Sequence, residues 1–212
     1  MKKNYFYGIF CRYFMQHFVV VTKKKIAHYF NRLNTDYVLD FCTSTGLQLA
    51  LLKKQNIKCV GFDLNNNLLR YNTTYMPGLQ FVCADASKVP FKNGSFQGIS
   101  FAFALHDKNK QLRDAMICEA KRLLAPGGKI IAADFVVPWN LCSRTAYLLT
   151  FFIELCSGHF TLGIGFIKEG GLHALLQKHG LTILQQHPIY WRNSAFIIAE
   201  VTDDATGNVT EK

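Results

Sequence analysis

The nine residues Val38-Leu39-Asp40-Phe41-Cys42-Thr43-Ser44-Thr45-Gly46 limit what this chain can fold into more than any other stretch. Asp36 to Cys42 is apolar, aromatic or β-branched and holds no Pro or Gly, which predicts a buried strand. Thr43 to Gly46 are small turn residues, and Leu47 to Lys54 are helix formers without a breaker. Strand, small-residue turn and helix open a βαβ unit of the nucleotide-binding type. The turn lets a ligand approach the backbone, and the helix start offers N–H groups without internal partners.

Such a turn is common, and most bind nothing, so the downstream pattern matters more. Ile57 to Asp63 predicts a second strand ending in an acid 23 positions after Asp40, placed to accept hydrogen bonds from a ribose diol. A third strand, Leu79 to Cys83, runs into Ala84-Asp85-Ala86. A fourth, Phe96 to Phe103, precedes Leu105-His106-Asp107. A helix from Lys108 to Leu124, stopped by Pro126-Gly127-Gly128, then leads into a fifth strand, Lys129 to Phe135.

In this order and spacing, Asp36 to about Phe135 resembles the class I S-adenosylmethionine-dependent methyltransferases. VLDFCTSTG is similar to that family's VLDxGxGxG motif, VGFDL to its ribose-binding strand end, and CADAS to its adenine-contacting acid. PFKNGSFQGISFAFALHD resembles its PFxDxSFDxVxxxxxLHH segment, and AKRLLAPGGKIIAADF its RVLKPGG segment. Ser44 stands at the second glycine and narrows the room for the cofactor's carboxylate end; Gln97 replaces an acid after Ser95-Phe96. The resemblance implies a Rossmann-like α/β sheet of strand order 3-2-1-4-5-7-6 with helices on both faces. It implies S-adenosyl-L-methionine as cofactor, held by Asp40, Cys42, Thr43, Ser44, Gly46, Asp63, Leu64, Asp85, Ala86 and Phe103.

At 212 residues, half of them hydrophobic and 18 of them Phe, the chain can bury one sizeable core. Residues 1–202 are expected to form a single domain, with a polar, disordered tail at 203–212. The formal net charge of +10 suits an anionic partner, although many enzymes are simply basic. The seven cysteines are scattered, with no C-x-x-C pair, and read as buried thiols in a reducing, cytoplasmic setting. The histidines do not cluster at ligand spacing, so no metal site is expected. Arg12, Gln16 and His17 interrupt the apolar N-terminus, which argues against a signal peptide, and no run reaches the ~20 apolar residues a membrane span needs.

Two segments lie outside the common core. Residues 1–22 predict an aromatic helix and Lys23 to Leu33 a second one, together an N-terminal lid over 1–35. These 35 residues carry seven Lys or Arg and no acid, which suits peripheral contact with an anionic membrane. Residues 138–171 are expected to form an apolar, helical insert after strand five, followed by a helix over Glu169 to His179. Leu181 to Gln186 and Ser194 to Val201 close the chain as an antiparallel pair.

Open α/β sheets bind ligands at the carboxyl ends of their strands, which gathers Asp40 to Gly46, Asp63, Asp85 and Phe103 to His106 around one crevice. S-adenosylmethionine carries the hard chemistry, and a base is needed only where the acceptor loses a proton. His106, just past strand four, is the first candidate for that base. His159, after the insert, is the second; Tyr7 and Tyr13 are weaker. The nucleobase-amine signature Asn/Asp-Pro-Pro-Tyr is absent after strand four, and no Pro-Cys pair occurs. Neither those chemistries nor a nucleic-acid partner is therefore expected. The expected acceptor is an apolar small molecule, quinone-like or lipid. A phospholipid N-methyltransferase and a non-catalytic cofactor-binding protein are the alternatives.

Overall fold

The computed structural model describes residues 3–138 and 160–202, and 140, 141, 143–145, 147 and 148 between them, with backbone alone for 3–16, 18 and 191. One seven-stranded sheet runs through it in the order β3-β2-β1-β4-β5-β7-β6. The strands are β1 (Tyr37–Phe41), β2 (Lys58–Asp63), β3 (Gln80–Cys83), β4 (Phe96–Ala102), β5 (Leu124–Phe135), β6 (Leu181–Ile189) and β7 (Ser194–Val201). The first five pair parallel, and β7 lies antiparallel between β5 and β6. The order reverses between β1 and β4, and a ligand crevice opens at that switch.

The central strands are buried on both faces, and alternation assigns their side chains to one of two cores. Leu39, Phe41, Ile99, Phe101 and Ile130 face α4 (Lys110–Leu123), which contributes Met116, Ile117, Ala120 and Leu123. Val38, Ile131, Ala133, Phe196 and Ile198 face α1 (Lys3–Arg32), which contributes Ile26, Ala27 and Phe30. Phe41 touches Phe62 edge-on and Phe101 at a tilt, with centroids 4.7 and 4.5 Å apart. Each such fully buried side chain is worth about 1.5–3 kcal/mol, and these three fix the strand ends from which the crevice loops depart.

Several expectations are corrected. The N-terminal segment is one helix of 30 residues, not two. Nothing between Val21 and Lys25 breaks it, Thr22 is hydrogen-bonded to the Tyr190 hydroxyl, and Lys23 is buried. The helix before β5 ends at Leu123, and Leu124 already pairs with Phe96, so LAPGG belongs to β5. The end of the 138–171 insert carries α5 (Phe160–Lys168), and the helix expected over Glu169 to His179 is α6, which starts only at Gly171 (Gly171–Lys178). Gly163 and Gly165 are absorbed into α5. The break falls at Gly170 and Gly171, with φ of 96° and 63° that L-residues rarely adopt. The tail at 203–212 lies outside the described residues. Two further helices are α2 (Leu47–Lys53) and α3 (Asn66–Tyr75).

Candidate active site

The β1–α2 turn has a strained backbone. Cys42, Ser44 and Gly46 all sit in the left-handed region, with φ of 53°, 51° and 72°. For the two that are not glycine this costs about 1–3 kcal/mol each. The turn keeps its shape through hydrogen bonds from Thr43 N to Phe62 O (2.9 Å), Ser44 N to Asp63 Oδ2 (3.0 Å) and Asn72 Nδ2 to Ser44 O (2.6 Å). At Gly46 a Cβ would stand 2.8 Å from the Phe81 ring, so packing as well as φ excludes a side chain.

Asp63 ends β2 and holds its own loop as well as that turn. Oδ1 accepts from Asn65 N and Oδ2 from Ser44 N, each at 3.0 Å. A carboxylate has about four acceptor positions, so two backbone bonds leave capacity for two hydroxyls of a ligand.

These elements border a cleft of about 530 Å³. Cys42, Ser44, Thr45 and Leu47 form one side, Asp63, Asn65 and Leu68 a second, and Phe103, Ala104, Asp107 and Lys108 a third. Val19, Val20 and Lys23 of α1 complete it. Lys23 is only 6% exposed, and its ammonium makes no hydrogen bond or ion pair among the described residues. Its charge lies near Asp40, whose carboxyl is pushed above the ordinary range by complete burial, while Lys23 and the Ser100 hydroxyl (2.6 Å) oppose that rise. Burial also pushes the Cys42 thiol up to about 12, so it is no nucleophile at neutral pH.

Beyond Phe103 (φ 56°), the chain turns into Leu105-His106. His106 Nδ1 is 2.8 Å from Asp134 Oδ1. Asp134, next to last in β5, is fully buried, and its other oxygen accepts from Leu105 N at 2.9 Å. The imidazole lies against Phe135, with ring centroids 4.4 Å apart.

Of the residues singled out in the sequence, Cys42, Ser44, Asp63 and Phe103 line the cleft. Asp40 and Thr43 are buried behind the turn, and Gly46 packs on Phe81. Leu64 is exposed outside the lining. Asp85 closes its own turn, with Oδ1 accepting from Ser87 N (2.8 Å) and Oγ (2.7 Å), and neither it nor Ala86 lines the cleft. His106 is held just behind the Phe103–Ala104 wall, and His159 lies outside the described residues. The thiols depart from expectation: Cys83, at the end of edge strand β3, and Cys118, on the outer side of α4, are exposed.

Lys23 and Asp134 were missed. Val19, Val20 and Lys23 fall within i, i+1 and i+4 of one helix face, and Asp134 is an acid at a strand's carboxyl end, the same signal that singled out Asp63. Among the described residues no group of His, Cys, Asp or Glu could hold a metal, and no helix is long and apolar enough to cross a membrane.

Residues 38–128 match the family model described as a methyltransferase domain. The demethylmenaquinone methyltransferase of Beutenbergia cavernae is 31% identical over 101 residues, 48% of this chain and 41% of that protein. The Thermotoga maritima protein of the same name is 25% identical over 154 residues, 72% of this chain and 64% of that one. The chain thus spans about half the length of the curated relatives it matches. Among solved structures, the fold is shared with the Burkholderia thailandensis 1,6-didemethyltoxoflavin-N1-methyltransferase, determined with 1,6-didemethyltoxoflavin and S-adenosylhomocysteine bound. That match has a TM-score of 0.59 at 13% identity and covers 93% of this chain and 89% of that one. The mitomycin 7-O-methyltransferase matches with a TM-score of 0.66 at 13% identity, covering 86% of this chain and 54% of that one. Residues 38–128 thus match a methyltransferase family model, and they lie in a sheet whose strand order is that of the Rossmann-like methyltransferase fold.

That family implies S-adenosylmethionine as cofactor. The cleft's chemistry fits it: an acid with spare acceptor capacity for a diol, a buried cation for a carboxylate, and apolar walls for the remainder.

Proposed function

We propose that this protein transfers a methyl group from S-adenosylmethionine to an apolar small-molecule acceptor, quinone-like or lipid. The observation that carries this reading is the cleft between the left-handed turn at Cys42 to Gly46 and Asp63, walled by Val19, Val20, Leu47, Leu68 and Phe103. The relatives' name, demethylmenaquinone methyltransferase, supports a quinone-like acceptor.

When bound, S-adenosylmethionine supplies an activated methyl on a sulfonium. Asp63 would accept the ribose hydroxyls at the positions its two backbone bonds leave open. Ser44 and Thr45 would border the amino acid end, and the Lys23 ammonium would meet its carboxylate. Val19, Val20 and Phe103 would exclude water and hold the acceptor in line. Where the acceptor loses a proton, His106, held behind the Phe103–Ala104 wall with Nδ1 against Asp134, would take it once the acceptor reaches past that wall. The basic, continuous α1 would rest at an anionic membrane surface from which a lipid-soluble acceptor reaches the cleft.

The test is transfer of labelled methyl from S-adenosylmethionine into an organic extract of quinone precursors and lipids, with calorimetry on S-adenosylhomocysteine in parallel. Label in an extractable product is the expected result. Cofactor binding without transfer would leave a binding protein, and no binding at millimolar cofactor would end the methyltransferase reading.

A further inference from the structure

On the far side of α4 from the sheet, three side chains stand in series. Cys118 Sγ lies 3.6 Å from His179 Nδ1, and His179 Nε2 lies 2.9 Å from Asp114 Oδ1. Asp114 and Cys118 are four residues apart on α4 and share a face. His179 caps the end of α6, where its backbone N–H donates to Leu176 O at 3.2 Å. Cys118 is exposed, whereas the His179 side chain is 13% exposed. The other Asp114 oxygen accepts from Lys178 Nζ at 2.6 Å, and Lys121 Nζ donates to His179 O at 2.6 Å. None of these residues lines the cleft.

We propose that Cys118 is a modification site: a nucleophilic thiol that exchanges with small anionic disulfides of the glutathione class. The arrangement is that of nucleophile, base and orienting acid. With Nε2–H donated to Asp114, Nδ1 presents its lone pair to the Cys118 S–H. The proton passes to Nδ1, leaving a thiolate beside an imidazolium that Asp114 stabilises. The thiolate attacks one sulfur of the disulfide; the Cys118–sulfur bond forms as the disulfide's own S–S bond breaks. The departing thiolate takes the proton from Nδ1. Protein thiol plus disulfide becomes mixed disulfide plus free thiol, with no other oxidant. Lys121 and Lys178 flank the site and draw an anionic reagent towards it.

Cys83 is an internal comparison. It is also exposed, but among the described residues its thiol meets only Leu64 O, at 3.7 Å, with no base beside it. Cys42 and Cys59 are held protonated by burial, at about 12 and about 11.

The full chain is incubated with oxidised glutathione at neutral pH, and each cysteine's mixed disulfide is followed by peptide mass spectrometry. Cys118 is expected to react at least about tenfold faster than Cys83. His179→Gln should bring Cys118 down to the rate of Cys83 without changing Cys83, and Asp114→Asn should slow Cys118 by less. Equal rates at Cys118 and Cys83 in the unaltered protein overturn the proposal. So does a Cys118 rate that His179→Gln leaves unchanged. Should His179→Gln unfold the chain, seen as new reactivity at Cys42 and Cys59, then Asp114→Asn decides, and an unchanged Cys118 rate there overturns it.

Discussion

His106 Nδ1 lies 2.8 Å from Oδ1 of Asp134, a carboxylate with no exposure to solvent. Asp134 therefore fixes which ring nitrogen faces away from it, and it also accepts from Leu105 N and Phe135 N, so ring and loop are set by one group. Acting as the proposed base, His106 would contribute about 10²–10⁴ to turnover. His106→Ala is expected to lower kcat by that factor while cofactor affinity by calorimetry stays within about threefold. A variant keeping more than about a third of turnover would leave positioning alone to do the work.

Asp63 serves the loop and the proposed ligand together. Asp63→Ala removes the acceptor for Ser44 N and Asn65 N as well as the one for ribose. Losing a charged acceptor costs about 1.5–3 kcal/mol, or roughly tenfold to hundredfold in affinity. An unchanged S-adenosylhomocysteine dissociation constant would remove Asp63 from the site.

How much of this was legible in the sequence follows from what each residue's signal depends on. The strands from β1 to β5 announced themselves as apolar runs, with Asp40 near the end of β1, Asp63 ending β2 and Asp85 just past β3, and the sheet order came with the family pattern. Which of those acids reaches the cleft depends on side-chain direction. Asp40 pairs in register with Gly61 and Ser100 and points into the interior, whereas Asp63 ends β2 and points out. Lys23 was illegible because it opens a run of three lysines, and composition assigns such a run to solvent. Burial against the β1–α2 turn is a tertiary fact. The break at Gly170 was hidden by two earlier glycines that the helix tolerates.

The left-handed turn predicts opposite outcomes at two neighbouring positions. Ser44 pays for its φ of 51° without filling space, since its side chain is exposed. Ser44→Gly relieves about 1–3 kcal/mol of strain and loses about 0.5–1 kcal/mol to unfolded-state entropy. The expected result is equal or slightly higher stability in urea. Gly46→Ala meets both the positive φ and the Phe81 ring at 2.8 Å, and should destabilise by about 2–4 kcal/mol. Equal midpoints for the two variants would contradict the geometry.

Asp40 gives a pH signature of defined sign. Burial raises its folded pKa above the unfolded value of about 3.9. The folded chain thus holds more protons in the window between the two values, and its stability falls as pH rises through it. Asn at this position keeps an acceptor for the Ser100 hydroxyl and cannot ionise. Relative to the unaltered protein, Asp40→Asn should gain stability as pH rises through that window and hold a constant advantage above it. Urea titrations across the acid range measure this, and an advantage that shrinks with rising pH would reverse the assignment.

The membrane reading now has specific side chains to test. Lys24 and Lys25 are exposed on α1, and Leu141 and Leu148, in the segment after β5, are 77% and 72% exposed. Cations near an anionic surface contribute about 1 kcal/mol each. Replacing Lys24 and Lys25 with Gln should then weaken sedimentation with anionic vesicles by about thirtyfold. Removing α1 up to Lys23 is a poorer test, because it also strips Val19 and Val20 from the cleft. Leu141→Gln with Leu148→Gln should weaken binding with little dependence on salt, whereas the lysine pair should matter less as salt screens it. Methyl transfer to a water-soluble short-chain acceptor should survive both pairs of changes. Loss of activity on vesicle-borne acceptor alone would place membrane delivery upstream of chemistry. Full-length protein left in the supernatant with anionic and neutral vesicles alike would remove the membrane and leave a cleft that takes its acceptor from solution.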